Sequence, residues 1–483
     1  MGIGEYVVHA LAVLYGLATL VFFSLWALVD GSNWKSETPA RSQELEKAHH
    51  DLWHLANPSS THHHNFLTLS SGLQLHYLSN SPAGPAKALV LFLHGFPDSA
   101  HIFSRVLASE SLQRSGIKLV ALDLPGYGGS DGLRRYGASE VLNAVVEALM
   151  RLKKLYLPED GIPCILVGHD WGGAIAFRIA SETAGLVDRV VVLNSMHIPH
   201  GKANITACVS RAEPLFSAWT SRPWQLHLLQ AAFHELSPIT QQLLKSSYIF
   251  MFNLPLPLPL LSPAITQFIT LCHRHLSRTQ LPPAYMIATS NGPSPREATS
   301  RTADGYTYPP TVLARTRTER IRLYREGLGT SEWTPNSSTT TSYVKPASRN
   351  AEQGEPARKE GSFNYPLTTL FGLDDLAFDT RVVLDGLQHF FLEPAAGASR
   401  ARERQSHIVR LPGRGHWFFA RREGADVVVK TLRALVAVHG QAMLSESHAD
   451  EGGLSSSGTL DEILRREVKV AGGEGVTVAS SYP

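Results

Sequence analysis

Apolar runs alternate with helical patterns along most of the chain, and this alternation predicts the main elements of the fold. Continuous apolar, β-rich runs are typical of strands buried on both faces of a parallel sheet. Such runs occur at residues 88–93, 117–122, 164–168, 189–194, 366–372 and 407–411. An earlier stretch, residues 66–78, has turn residues at its centre and predicts a hairpin. Strands that alternate with helices indicate an α/β fold with a mostly parallel sheet and helices on both faces.

The strand pattern stops after residue 195 and resumes near residue 364. The intervening region is helical at first and then interrupted by Pro/Ser/Thr-rich pieces, which predicts an inserted helical cap with flexible insertions. We therefore expect a transmembrane anchor (1–31), a connector (32–65), the first part of the α/β core (66–195), the cap (196–363), the second part of the core (364–444) and a flexible tail (445–483).

The amino-terminal segment is unusually apolar. No Asp, Glu, Lys or Arg occurs from Tyr6 to Val29, and a helix of that length spans about 36 Å against a hydrocarbon core of about 30 Å. A cleaved signal peptide is the competing interpretation, but the segment lacks a basic start and a small-residue cleavage site. We expect one membrane-spanning helix. The lysines and arginine that follow it favour a cytoplasmic catalytic domain, with the endoplasmic reticulum as a candidate organelle.

Composition narrows the function classes. The net charge is +2, with 18% charged residues and no basic patch with interleaved aromatics, so we expect no nucleic-acid partner. The three cysteines lack the spacing of a metal site and favour a reducing compartment. The triplet from His62 to His64 could bind a metal, but a solvated run outside the core is the favoured interpretation. We therefore expect neither a metal nor a cofactor.

The stretch CILVGHDWGGAIAF, residues 164–177, carries the first chemical signal. A buried strand, a glycine-bracketed turn and an Ala-rich helix are typical of a nucleophile elbow, whose tight turn lifts one side chain above the sheet. That side chain is Asp170, where many hydrolases have serine. A carboxylate needs no base to remove a proton, and its natural targets are sp3 carbons with a leaving group, as in an epoxide or an alkyl halide.

Attack by Asp170 would leave an ester that an activated water must hydrolyse. His416 follows the last predicted strand and is the expected base. Asp375 follows the strand before it and is expected to orient the imidazole, with Asp374 and Asp379 as nearby alternatives.

The motif HGFP directly follows the first buried strand and is the third element. It comprises His94, Gly95, Phe96 and Pro97. We expect the backbone amides of Phe96 and Trp171 to form an oxyanion hole for the intermediate of ester hydrolysis.

Together, HGFP, GHDWGG and GRGHW resemble the epoxide hydrolase branch of the α/β-hydrolase fold family, over roughly residues 66 to 439. The resemblance implies an α/β-hydrolase fold with a helical cap, and two cap tyrosines that bind the epoxide oxygen. The segment SSYIFMFNLP points to Tyr248 as the first. For the second, this chain has Trp333-Thr334 where the family has a tyrosine after the tryptophan, which leaves Tyr324 or Tyr343 as candidates.

The function predicted from these residues is the hydrolysis of an apolar epoxide to a vicinal diol by a membrane-anchored enzyme. A haloalkane-type dehalogenase would use the same triad, but Phe96 lacks the polar side chain that would hold a halide. A non-catalytic binding protein with this fold is the third hypothesis, and the retained catalytic residues argue against it.

Overall fold

The computed structural model describes residues 3–30, 38–56, 61–82, 84–157, 159, 161–277, 283–314, 317–336, 361–392, 405–447, 462, 464–466, 468–469 and 475–480. The strands in these residues are β1 (His63–Thr68), β2 (Gln74–Ser79), β3 (Ala88–Leu93), β4 (Ile117–Leu122), β5 (Cys164–His169), β6 (Arg189–Leu193), β7 (Leu367–Gly372), β8 (His407–Leu411) and β9 (Thr477–Ser480). The longer helices are α1 (Ile3–Asp30), α2 (Pro39–Trp53), α5 (Ala138–Tyr156), α6 (Trp171–Glu182), α7 (Ile198–Ser221), α8 (Leu226–Lys245), α10 (Leu258–Ser277), α11 (Pro283–Asn291) and α15 (Arg422–Ser447). The shorter ones are α3 (Ser104–Leu107), α4 (Glu110–Arg114), α9 (Ser247–Phe252), α12 (Thr311–Ala314), α13 (Arg322–Arg325) and α14 (Thr380–Leu384).

All the described strands join one sheet, in the order β1-β2-β4-β3-β5-β6-β7-β8-β9. Neighbouring strands from β4 to β8 are parallel, whereas the β1–β2, β2–β4 and β8–β9 pairs are antiparallel. Every residue of β3, β4 and β5 is buried, as expected for apolar strands covered on both faces. The predicted α/β fold with a mostly parallel sheet is confirmed. Because parallel strands end at one edge of the sheet, the loops after β3, β5, β7 and β8 converge there.

The chain leaves the sheet after β6 and forms the helices α7 to α13 before it returns at β7. These helices are tied to the loop after β7 by polar contacts. Lys245 Nζ donates to the carbonyls of Asp375 and Phe378 at 2.5 and 2.6 Å, and Gln242 Nε2 donates to the Ala377 carbonyl at 3.0 Å. The cap is therefore fixed directly above the edge where the loops converge.

Helix α1 lies against the cap. The segment Tyr6–Asp30 is long and apolar enough to cross a bilayer, and 22% of its most apolar window is buried in the protein. Most of its contacts are with α9 and α10: Tyr15 packs on Phe250 with ring centroids 5.1 Å apart, and Phe23 packs on Phe268 at 5.6 Å.

The segment between α1 and the sheet is more structured than a polar connector. Helix α2 packs on α11, and the buried Trp53 donates its indole N–H to the Ala288 carbonyl at 2.9 Å. Beyond it, β1 begins at His63. The interpretation of the histidine triplet as solvated is wrong for His62, which is 8% exposed, and for His64, whose ring nitrogen lies 2.8 Å from that of His76. The physical reason is that α2 and the loop after β3 cover this edge of the sheet.

The other departure is at the carboxyl end. The predicted flexible tail supplies β9, which pairs antiparallel with β8 and closes that edge of the sheet. The tail therefore covers backbone groups of β8 that an edge strand would expose.

Candidate active site

Asp170 lies at the turn between β5 and α6 with φ 51° and ψ −117°. A positive φ is rare outside glycine and costs about 1–3 kcal/mol, so the surrounding structure must hold it in place. Gly172 permits the tight turn, because a Cβ there would lie 2.2 Å from the Leu93 carbonyl oxygen. The Asp170 side chain is lifted toward the cap and is 8% exposed.

The HGFP loop holds one oxygen of the Asp170 carboxylate. The Phe96 amide donates to Oδ1 at 2.9 Å, and the Trp171 amide also binds the carboxylate. Gly95 is required for this approach, since a Cβ at that position would lie 2.3 Å from Oδ1. Burial raises the pKa of Asp170, and His416 together with the two amides opposes that rise. The predicted oxyanion amides are thus both directed at Asp170.

His94 and Pro97 brace this loop from behind. The His94 ring accepts a hydrogen bond from the Leu124 amide at 3.0 Å, and its other nitrogen lies 2.8 Å from the Gly95 carbonyl. The Pro97 carbonyl accepts from the Ser290 hydroxyl at 2.9 Å. These contacts hold the loop in position without reaching the cavity.

His416 and Asp375 meet as a pair. The distance between His416 Nδ1 and Asp375 Oδ2 is 2.8 Å, and both side chains are buried. Of the other carboxylates considered, Asp374 is exposed and Asp379 caps α14 while it pairs with Arg381. His416 Nε2 faces Asp170 Oδ2 at 3.7 Å, which is longer than a hydrogen bond and leaves that nitrogen available.

The electrostatics of the pair suit a base held by an ionised acid. Burial pushes the pKa of Asp375 up, but His416, Asn194 and the Ala377 amide outweigh burial and lower it. Burial pushes the pKa of the His416 ring down, but the Asp375 carboxylate outweighs burial and raises it. Asp375 therefore stays charged and fixes the proton of the imidazole on Nδ1.

A small cavity separates Asp170 from the cap. Its lining is mostly apolar and consists of Phe96, Asp170, Tyr248, Phe268, Cys272, Tyr324, Leu376, Ala377, His416 and Trp417.

Tyr248 and Tyr324 both line this cavity and hydrogen-bond to each other. Burial raises the pKa of each phenol well above its ordinary value, and the nearby Asp170 carboxylate adds to the rise. Both phenols therefore stay protonated and can donate. Of the two candidates for the second tyrosine, only Tyr324 can be located, because Tyr343 lies outside the described residues.

Comparison with known proteins accords with this geometry. A family model described as the α/β hydrolase fold matches residues 88–227, which contain the HGFP loop and the elbow. The chain has the α/β-hydrolase fold. The predicted resemblance to the epoxide hydrolases of that family is also confirmed by its curated relatives.

The chain is 34% identical to epoxide hydrolase 4 of Homo sapiens over 175 residues, which are 36% of this chain and 43% of that protein. It is 32% identical to epoxide hydrolase 3 of Mus musculus over 238 residues, or 47% of this chain and 53% of that protein. Epoxide hydrolase 3 of Xenopus tropicalis is 30% identical over 202 residues, with 41% and 44% covered. The chain thus spans about half the length of the curated relatives it matches.

Among solved structures, the chain aligns with the Cif epoxide hydrolase from Acinetobacter nosocomialis at a TM-score of 0.43 and 16% identity, covering 83% of this chain and 97% of that one. It aligns with epoxide hydrolase VrEH1 from Vigna radiata at a TM-score of 0.43 and 14% identity, covering 79% and 99%.

Two residues that sequence reasoning missed support the site of this hydrolase. Asn194, at φ 36°, donates its amide to Asp375 Oδ2 and so holds the carboxylate that holds His416. Asp98 accepts a hydrogen bond from the Trp417 indole at 2.9 Å, and burial raises its pKa to about 7. Their positions in the sequence could have indicated both residues, because Asn194 directly follows β6 and Asp98 directly follows HGFP.

Proposed function

We propose that this hydrolase converts an apolar epoxide to a vicinal diol through a covalent ester on Asp170. The observation that carries the proposal is the carboxylate at the apex of the elbow, facing two protonated phenols across an apolar cavity. A carboxylate attacks an sp3 carbon directly, and the phenols supply the acid that an epoxide oxygen needs as it leaves. The names of the curated relatives support the same activity.

In the first step, Asp170 Oδ2 attacks a ring carbon from the side opposite the carbon–oxygen bond. Oδ1 is the less suitable nucleophile, because the Phe96 amide already binds it at 2.9 Å. The ring bond breaks, its electron pair moves to the oxygen, and Tyr248 or Tyr324 gives that oxygen a proton. The product is a hydroxyalkyl ester of Asp170.

In the second step, His416 Nε2 takes a proton from water, and the resulting hydroxide attacks the Asp170 carbonyl carbon. The ester carbonyl is now Oδ1, which lies in the hole formed by the Phe96 and Trp171 amides, so the developing oxyanion is stabilised where it forms. Asp375 stabilises the imidazolium. Collapse of the intermediate breaks its bond to the substrate oxygen, which takes the proton of the added hydroxyl and leaves as the diol, so that Asp170 is again a carboxylate. The proton on His416 returns to the phenolate.

The lining favours a compact apolar substrate. Phe96, Phe268 and Trp417 supply aromatic walls, and the space between them is small. A halide released by a dehalogenase would need polar N–H donors, yet the Trp171 ring packs edge-on against Tyr324, with ring centroids 4.8 Å apart, and does not line the cavity. The epoxide therefore fits the cavity better than the alkyl halide.

We also infer that α1 brings the hydrolase to a membrane, with its catalytic domain on the cytoplasmic side. Asn336 tests the orientation because it is exposed, whereas Asn204 donates its amide to the Val382 and Asp385 carbonyls at 2.9 Å. Glycosylation of Asn336 in cells would put the catalytic domain in a lumen and contradict the cytoplasmic orientation.

The activity is tested by incubating the full chain with aryl- and alkyl-substituted epoxides and with alkyl halides, and by measuring diol and halide. We expect diol without halide, and loss of diol formation in Asp170→Asn. The matched control is Asp374→Asn, a neutralised carboxylate beside Asp375 that is exposed and outside the cavity. Halide release would favour the dehalogenase, and binding of these compounds without turnover would favour the non-catalytic protein.

A further inference from the structure

The outer face of α1 has no polar side chain to meet water. Gly16, Thr19, Phe23 and Ala27 form the face that packs on the cap. The opposite face exposes Leu14, Val21, Phe22, Leu25, Leu28 and Val29, each by more than half of its surface. A surface helix of a water-soluble protein carries polar residues on its outer face, whereas a helix that is apolar all round is covered by protein or by lipid.

The contacts of α1 with the rest of the protein extend along more than half of its length. They begin at Val13, which packs against the apolar core, and at Tyr15, whose hydroxyl donates to the Leu243 carbonyl at 3.0 Å. The backbones meet closely at Gly16, where a Cβ would lie 2.6 Å from the Phe250 carbonyl oxygen. They end at Asp30, which pairs with Arg274 at 2.7 Å.

This docking does not leave enough helix to cross a bilayer. The part in contact, from Val13 to Asp30, is about 27 Å long, and the part before it is about 15 Å. A bilayer core of about 30 Å needs roughly 20 residues. The docked α1 therefore meets the membrane together with the cap and not as an independent span.

The cap next to α1 continues the apolar surface. Leu244, beside the contact of Tyr15, is 63% exposed, and Leu260 on α10 is 64% exposed. Phe268 and Arg274 of α10 contact Phe23 and Asp30 of α1, so the two helices run in the same direction. Leu260 lies eight residues before Phe268, and Tyr15 lies eight residues before Phe23. Leu260 therefore lies at the level of Tyr15.

We propose that the outer face of α1 and the exposed leucines of the adjoining cap form one lipid-binding surface, through which the hydrolase sits in a single leaflet of a bilayer. The occupant is lipid because the whole length of the face is aliphatic or aromatic, and because its helix has the length and composition of a membrane segment. This arrangement replaces the predicted single-pass anchor.

The same surface lies one side chain away from the cavity. Phe23 of α1 packs on Phe268, which stacks on Tyr248 with ring centroids 4.3 Å apart and lines the cavity. The wall of the cavity is thus held in part by the membrane-binding helix.

The experiment uses the full chain with single cysteines that carry an environment-sensitive fluorophore. Leu244→Cys and Leu260→Cys probe the cap, and Leu25→Cys probes α1. The matched control is Leu155→Cys on α5, where the native leucine is 57% exposed, close to the 63% of Leu244. The native cysteines are buried, and the protein without an added cysteine gives their background.

The labelled proteins are added to preformed phosphatidylcholine vesicles that contain a lipid with a quencher near the top of its acyl chain. We expect the cap labels to be quenched about fivefold more than the Leu155→Cys label, and similarly to the Leu25→Cys label. Quenching of the α1 label alone would mean that α1 inserts without the cap and would overturn the proposal. If none of the labels is quenched and the protein is a dimer in solution, a second copy covers the surface, and the proposal is overturned.

An amino-terminal epitope tag tests the single leaflet independently. With protein added from outside sealed vesicles, protease should remove the tag, because the tag and the hydrolase domain stay on one side. A protected tag would mean that α1 crosses the bilayer. Neither experiment requires turnover, so their outcome is independent of the proposed activity.

Discussion

Replacing His62 with glutamine should make the fold less sensitive to acid. His62 lies at the start of the sheet, with its ring 5.6 Å from that of His101 and its Nδ1 3.1 Å from the Thr61 hydroxyl. Burial, together with the neighbouring His63 and His76, lowers the pKa of His62 to about 4 from an ordinary value of 6.5. The folded protein therefore prefers the neutral ring, while the unfolded chain protonates it near pH 6.5.

The magnitude follows from the two pKa values. Above pH 6.5 the ring is neutral in both states and stability is unaffected, and the loss grows as the pH falls from 6.5 toward 4. At pH 5 the unfolded chain binds the proton far better than the fold, and the free energy of unfolding falls by about 2 kcal/mol from this one residue. His407, whose pKa burial lowers to about 3, adds a similar loss, whereas Asp98, with its pKa raised to about 7, acts in the opposite direction.

The assay therefore compares the pH dependence of the free energy of unfolding between the variant and the wild type. Equilibrium urea unfolding at pH 7.5 and at pH 5.0 gives the change in the free energy of unfolding for each protein. We expect His62→Gln to lose about 2 kcal/mol less than the wild type between the two pH values. His227→Gln, an exposed cap histidine, is the control and should follow the wild type. An equal loss in His62→Gln and wild type would refute the reasoning that burial keeps this ring neutral.

Three further predictions concern the site. Asp375→Asn should lower kcat about 10²–10⁴-fold. It should also move the acid limb of the pH–rate profile to lower pH, because the carboxylate that raises the pKa of His416 is lost. An acid limb that does not shift would argue against the pairing of His416 with Asp375. Tyr248→Phe and Tyr324→Phe should each slow ester formation about 10²-fold in single-turnover kinetics, and unchanged rates would exclude the phenols as acids. Asn194→Ala should lower kcat about tenfold with little change in KM, and a KM effect alone would mean that the amide positions substrate instead.

Residues whose role is set by neighbours in the sequence could be predicted. Asp170, His416 and the HGFP amides follow strands that are apolar over their whole length, and a strand followed by a tight turn fixes where its next residue lies. Asp375 follows the same strand as its neighbouring alternative Asp374, and the structure has Asp375 on the imidazole.

Residues brought in from distant parts of the chain could not be predicted with the same certainty. In the sequence, Asn194 is the last residue of a predicted strand. Its role follows only from the hydrogen bond that its amide donates to Asp375, which is 181 residues away. Tyr324 sits in a four-residue helix, and its local pattern does not distinguish it from Tyr343. Only the packing of the cap brings it to the cavity.

The surroundings of the site show the same limit. The four residues of β9 are too few for a periodic signal, and they become a strand only because β8 offers an open edge. His62 is polar in sequence and buried in the fold because α2 covers it. The apolar pattern of α1 indicated a membrane segment, but its contact with Phe268 depends on the cap and was not visible in the sequence.

The most direct test of the central claim is a single turnover of the full chain, in excess over an apolar epoxide, in water labelled with heavy oxygen. Helix α1 is retained because Phe23 packs on the cavity wall. Attack by Asp170 puts an enzyme oxygen into the diol and a solvent oxygen into the carboxylate. The account predicts label in the Asp170 peptide and unlabelled diol, whereas labelled diol with no label on Asp170 would mean that water attacks the ring directly and would contradict it.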